Sequence, residues 1–232
     1  MRTGARSRQP NAPAALMLVM SSVRCAGKRL VSRQPYGSRV ASRLPMNEPR
    51  RPAGYVGRNH ETSGRDVLAV LKTVNAPEAT LGKELADQLR GVTAEGWYPI
   101  GLLVDMLERL DQKLGSFHLK SVGWAIIQSL PPEMLARFKT AREVVDAFDG
   151  IYHFNNRGED IGGWAVTLFV PGRAELEKNT PHHCVMEEGI LEELLRKVGI
   201  PMKVSQSACF RKGAPVCRFV VEARMVDERW GS

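Results

Sequence analysis

Three cysteines constrain this chain more than any other feature. Cys209 and Cys217 bracket Gly213-Ala214-Pro215, a turn signal, and Cys184 lies at the mouth of an amphipathic run ending near Val198. A helix start and a β-hairpin can therefore converge on one point. Soft thiolates gathered in this way suit a tetrahedral metal such as zinc. The spacing is not that of a zinc finger, which uses tight C-x2-C pairs. Two other outcomes stand beside the metal. Free cysteines pack as small buried hydrophobes, and Cys209 with Cys217 could form a cross-strand redox pair. Cys184, at a helix N-terminus, should have a lowered thiol pKa, which favours both metal binding and reactivity.

The hydrophobic pattern orders the rest. Leu81, Leu85 and Leu89 predict a short helix closed by Gly91. Leu103, Leu107, Leu110 and Leu114 predict a second, entered past Pro99 and ended at Gly115. Leu119, Val122, Ile126 and Leu130 share the face of a third, started by Ser116 and stopped at Pro131-Pro132. Thr140 and Glu143 form a capping box ahead of Val144, Val145, Phe148, Ile151 and Tyr152. The period then changes to two: Trp164, Val166, Leu168 and Val170 read as a strand ending at Pro171-Gly172. After the Cys184 helix come two strands, roughly Met202–Ala208 and Val216–Met225. Helices first, then strand, helix and hairpin, predicts an α+β fold with a helical layer on a small antiparallel sheet.

Charge narrows the function classes. The net charge of +8 is concentrated before Glu48, where eight arginines and Lys28 stand with no acidic residue. The remainder is near neutral, so the folded domain lacks the footprint of direct nucleic-acid binding. The first 60 or so residues read as a disordered basic tail, and the domain as residues 61–228. Arg2, Arg6 and Arg8 ahead of the short apolar run Ala14–Met20 only minimally fit a signal peptide, or a mitochondrial presequence. Met46, where the composition changes abruptly, is a candidate start. No run is long enough to span a membrane, and a cytoplasmic location is expected.

The run from Cys184 to Phe219 resembles the C-terminal part of the vinyl-4-reductase domain. That family reads as a cysteine before a Gly-containing helix, a Gly-Pro-like break, then E-x-x-C-x-x-x-G-x-x-x-C-x-F. Cys184, Gly189, Gly199, Pro201, Cys209, Gly213, Cys217 and Phe219 fall on it. The resemblance implies a fold shared with haem-NO-binding domains and Golgi-transport subunits. It also implies kinship with the sensory domains of aromatic-responsive activators and with a bacteriochlorophyll-pathway accessory protein. It makes Cys184, Cys209 and Cys217 zinc ligands. The relatives' carboxylate three residues before the middle cysteine is replaced by Gln206, a poorer ligand. Gln206, His183, Glu187 or a water are the candidates for the fourth position. A regular strand would put Gln206 and Cys209 on opposite faces, so shared ligation needs the strand to break before Cys209.

Trp164, Trp124, Phe148 and Tyr152 are the candidate lining of a pocket for a small apolar or aromatic ligand between helices and sheet. Simple core packing is the competing outcome. Haem is not expected: His118 and His153 fall on predicted helices, but the haem family's Y-x-S-x-R signature is not found around them. His182 and His183 read as a solvated loop pair, and Glu187 and Glu188 as surface charges. No nucleophile–base set or phosphate-binding loop is readable, so no enzyme is expected. The expectation is a stand-alone sensory domain, homodimeric and acting through an unidentified protein partner, with a structural zinc. An interaction scaffold of the same fold, or an accessory protein of tetrapyrrole or aromatic metabolism, is the alternative.

Overall fold

The computed structural model describes residues 59–128, 130 and 132–231. The expected basic tail, Cys25 and the candidate start at Met46 lie outside them. In chain order the elements are β1 (Glu61–Ser63), α1 (Gly64–Leu71), α2 (Pro77–Leu81), α3 (Lys83–Leu89), β2 (Trp97–Pro99), α4 (Ile100–Leu114) and α5 (Ser116–Gln128). There follow α6 (Pro132–Leu135), α7 (Ala141–Asn155), β3 (Asn156–Arg157), β4 (Trp164–Val170), β5 (Arg173–Lys178), α8 (Cys184–Val198), β6 (Met202–Ala208) and β7 (Cys217–Ala223). The expected α+β class holds, with helices packed on an antiparallel sheet of order β4-β5-β7-β6. A smaller sheet of order β2-β1-β3 stitches the start of the domain to the end of α7.

Several helix boundaries follow the sequence signals. The Thr140–Glu143 capping box is formed in full at the start of α7. Gly115, with φ of 82°, ends α4. The leucine stripe 81–85–89 is instead divided between α2 and α3, because Gly82 at φ 85° breaks the run. Ser116 does not cap α5 from outside; it is the first helical residue, and its Oγ donates to Asp111 at 2.9 Å.

Strand β5 was not legible. Its buried positions are Ala174, Leu176 and Lys178, alternating with Arg173, Glu175 and Glu177. A lysine on the inward face hides the period-two pattern, yet β5 is central, pairing with both β4 and β7. In β4 the register shifts between Val166 and Leu168. The expected single face is therefore split: Trp164 is buried, Val170 is exposed, and Phe169 stacks on Trp230 with centroids 5.1 Å apart.

The closest approach in the helical layer is α5 on α8. A Cβ on Gly123 would meet the Met186 carbonyl oxygen at 2.1 Å, and one on Gly189 would meet the Lys120 carbonyl oxygen at 2.2 Å. The two helices touch backbone to backbone, which only glycine permits. Lys120 completes the contact by pairing with Glu188 at 2.8 Å and Glu192 at 2.7 Å. With Glu192 taken by Lys120, Arg196 pairs with Glu193 at 2.5 Å.

Candidate metal centre and aromatic core

Cys184 opens α8, Cys209 follows β6, and Cys217 opens β7. Because β6 and β7 are paired neighbours and α8 packs on β6, the three thiols meet at one end of the sheet. All three are buried, with the Sγ atoms within 4.8 Å of one another. Cys184 Sγ lies 3.3 Å from Cys217 Sγ and 3.8 Å from Cys209 Sγ. Four ligands around zinc with Zn–S bonds near 2.3 Å would hold their sulfurs about 3.8 Å apart. The triad is thus at ligand spacing, and no disulfide links its members.

The break that Gln206 requires is present. The β6–β7 register shifts between Gln206 and Ala208, so Gln206 pairs with inward-facing Phe219 while Cys209 still reaches the triad. The Gln206 amide is close enough to lower the Cys184 pKa, although its buried Nε2 has no partner with hydrogen-bond geometry. The Phe210 backbone N–H donates to Cys217 Sγ at 3.2 Å. A hydrogen bond from Cys217 holds the Cys184 thiol down to about 4, against its own burial, and the same bond pushes the Cys217 thiol up. Physically, the first proton leaves Cys184 and the second is retained because two adjacent buried thiolates repel.

A buried ion pair underlies the thiols. Lys178 is the register partner of Cys217, and its Nζ contacts the Glu187 carboxylate while donating to the His182 carbonyl at 2.9 Å. Burial pushes the lysine pKa down, while the adjoining thiol sites pull it up. The contact with Glu187 also favours the charged form, and the geometry is that of an ion pair. Thr180 Oγ1 donates to Glu187 at 2.7 Å. Glu187 is therefore neither a surface charge nor free to ligate. Its neighbour Glu188, half-buried, instead pairs with Lys120 at the helix contact.

His182 and His183 are likewise not solvated: both are 6% exposed. His182 packs edge-on to Tyr152, and burial followed by Lys178 lowers its pKa to about 3. His183 caps α8, its Nδ1 accepting from the Val185 N–H at 3.3 Å, with Nε2 3.6 Å from Asp111. Neither position carries a periodic signal that would announce burial; the fold encloses the loop.

The four aromatic candidates divide. Phe148 meets Trp164 edge to face at 4.6 Å, and Trp164 meets Phe219 at 5.1 Å. Such ring pairs contribute roughly 0.5–1.5 kcal/mol beyond their burial. Tyr152 is buried nearby and donates to the Ile161 carbonyl at 3.0 Å. Trp124 lies elsewhere, on the α5–α8 face, donating to Glu192 at 3.2 Å and edge-on to exposed Phe117. Two surface clefts, of about 470 and 390 Å³, lie away from Trp164.

No family model matches the chain. No curated protein matches it. Solved structures do. An H-NOX protein from S. oneidensis in the Fe(II)NO ligation state is 15% identical, with 70% of this chain and 99% of that chain covered and a TM-score of 0.54. The Fe(II) unliganded H-NOX protein from K. algicida is 13% identical over 70% and 97%, with a TM-score of 0.53. A Cs H-NOX variant carrying 4-cyano-L-phenylalanine is 11% identical over 71% and 97%, with a TM-score of 0.55. The chain thus has the haem-NO-binding fold. This corrects the sequence expectation about haem, which set that cofactor aside: several of the matching structures are of H-NOX proteins in stated iron ligation states, and another concerns heme distortion in the H-NOX family. The missing Y-x-S-x-R pattern was too narrow a ground. No helix among the described residues is long and apolar enough to cross a membrane.

Proposed function

We propose that this chain is a non-enzymatic, small-molecule-binding sensory module, built as a vinyl-4-reductase-like variant of the haem-NO-binding fold. The sensory reading is supported by the match to H-NOX structures over nearly their whole length, and the vinyl-4-reductase likeness by the sequence pattern from Cys184 to Phe219. The ligand would enter between the helical layer and the sheet, beside Trp164, Phe148 and Tyr152, with residues 61–228 as the folded domain. Haem is the ligand to test first. An axial ligand needs a ring nitrogen that nothing else occupies, and His118 on α5 has a buried Nε2 without a hydrogen-bond partner. Bound haem would supply an iron centre for a diatomic ligand.

The three cysteines would hold a structural zinc, with Gln206 or a water in the fourth position. A closed thiolate site fixes the hairpin to α8 rather than performing chemistry. Signal output would pass through a homodimer and a protein partner.

The deciding experiment incubates the full chain with haemin and follows the Soret band. A Soret band sharpened and shifted relative to free haemin, with the shift lost in His118→Ala but kept in His153→Ala, supports haem. With no Soret shift, a panel of aromatic ligands is tested by thermal shift, and Trp164→Ala should abolish any shift. If neither experiment gives binding, the sensory proposal fails. One observation favours a second reading, an interaction scaffold: Phe148 and Phe219 both pack against Trp164, leaving a filled core where the ligand would lie.

A further inference from the structure

The smaller cleft lies at the opposite end of α8 from the cysteines. It is bounded by the end of α5, by α6 and the segment after it, by the last turn of α8, and by Arg229. Its floor is apolar, with Leu135 and Val198 buried and Phe138 packed against the main core. Its rim carries Lys139, Lys197 and Arg229, and among the described residues no carboxylate lines it. This concentration of positive charge stands out in a domain that is near neutral after residue 47.

The rim cations differ in how far they are already satisfied. Arg229 donates to Asp227 and to the Gly199 carbonyl at 2.7 Å. Lys197 is 3.8 Å from Glu193, whose carboxylate is already held by Arg196 and Gln128. Lys139 makes no close ion pair among the described residues; Glu143 beside it accepts the Lys139 backbone N–H and meets its ammonium only through longer-range charge. Lys139 and Lys197 therefore retain ammonium donors for an incoming anion. At about 390 Å³ the cleft falls in the size range of small-molecule sites, roughly 300–1,000 Å³.

We propose that this cleft binds a small amphipathic anion, a carboxylate on an acyl or fused-ring body, with the carboxylate on Lys139 and Lys197 and the apolar body on Leu135, Phe138 and Val198. The site is separate from the aromatic core beside Trp164 and does not depend on what that core binds. An apolar floor alone would accept any hydrophobe, and a cationic rim alone any anion. The two together select molecules carrying both features, because each supplies binding the other cannot.

The test uses the full chain and decanoate, below its aggregation threshold, followed by calorimetric titration. Decanoate should bind, while decanol, which lacks only the charge, should bind at least about tenfold more weakly. Inorganic phosphate should not compete. Lys139→Gln with Lys197→Gln should weaken decanoate binding by about tenfold, whereas Lys83→Gln, at an exposed position of α3 outside the cleft, should leave it unchanged. Ala136→Asp places a carboxylate at an exposed lining position and should abolish binding without affecting the fold. Equal affinity for decanol, displacement by phosphate, or unchanged binding in both lining variants would each overturn the proposal. So would no decanoate binding, or capture only of anionic-lipid vesicles, which would make this a membrane contact.

Discussion

The ammonium of Lys178 rests on the carboxylate of Glu187, and both side chains are almost wholly removed from solvent, at 1% and 4% exposure. The pair joins β5 to the first turn of α8 directly beneath the cysteine triad. Breaking a buried pair by removing one partner typically costs about 3–5 kcal/mol, because the survivor is left charged and unpaired. Replacing both partners with apolar groups often costs little. Lys178→Met and Glu187→Met should each destabilise the protein by about that amount in urea denaturation, and the double variant should recover most of the loss. Additive losses would show that the two residues act independently.

The α5–α8 contact makes an equally direct case. Alanine in place of glycine inside a helix normally gains about 1 kcal/mol of helix propensity. At Gly123 the added Cβ would fall 2.1 Å from one backbone atom of α8 and 2.7 Å from another. Overpacking of this kind costs roughly 1–3 kcal/mol or more. Gly123→Ala and Gly189→Ala should therefore lower the melting temperature, whereas Gly150→Ala, with open space around its Cβ in α7, should raise or preserve it. A neutral Gly123→Ala would mean that the helices lie farther apart.

For the triad, purified protein should carry about one equivalent of zinc, and a chelator should lower its melting temperature. Structural zinc sites in small domains have apparent binding free energies of roughly 10 kcal/mol or more. Cys184→Ser, Cys209→Ser or Cys217→Ser should each loosen the metal, and Gln206→Glu should tighten it by supplying an anionic oxygen. Metal-free protein as stable as its serine variants would leave three buried thiols and no clasp.

Asp66, in the first turn of α1, gives a pH signature remote from the thiols. Burial raises its pKa from 3.8 to about 7, outweighing Arg65 and the Ser63 hydroxyl. The residue as a whole keeps some solvent contact, so the effect on stability is smaller than complete burial would give. The folded state holds the Asp66 proton through a window where the unfolded state has released it. Its stabilising contribution is thus complete below about pH 4 and is lost as pH rises through 7. Asp66→Asn should flatten this decline between pH 4 and 7, as seen in melting temperature against pH. An unchanged slope would remove Asp66 as its source.

By itself the sequence determined the fold class and most helix ends, and it offered the convergence of the cysteines as one of several outcomes. These features are local: Thr140 and Glu143 cap a helix across three residues, Gly115 ends one, and Cys184 and Cys217 each open an element whose period is visible in its own segment. Only the tertiary structure decided what is buried against its type. Lys178 is inward because β5 is a central strand, Glu187 because the lysine waits beneath it, and His182 because Tyr152 covers it. It also separated Trp124 from Trp164, Phe148 and Tyr152, since α5 turns that indole toward α8. Hydrophobic period records which face of an element is apolar, but not which neighbour lies against it. A charged residue can occupy the inward face only when an opposite charge, distant in sequence, arrives at the same place.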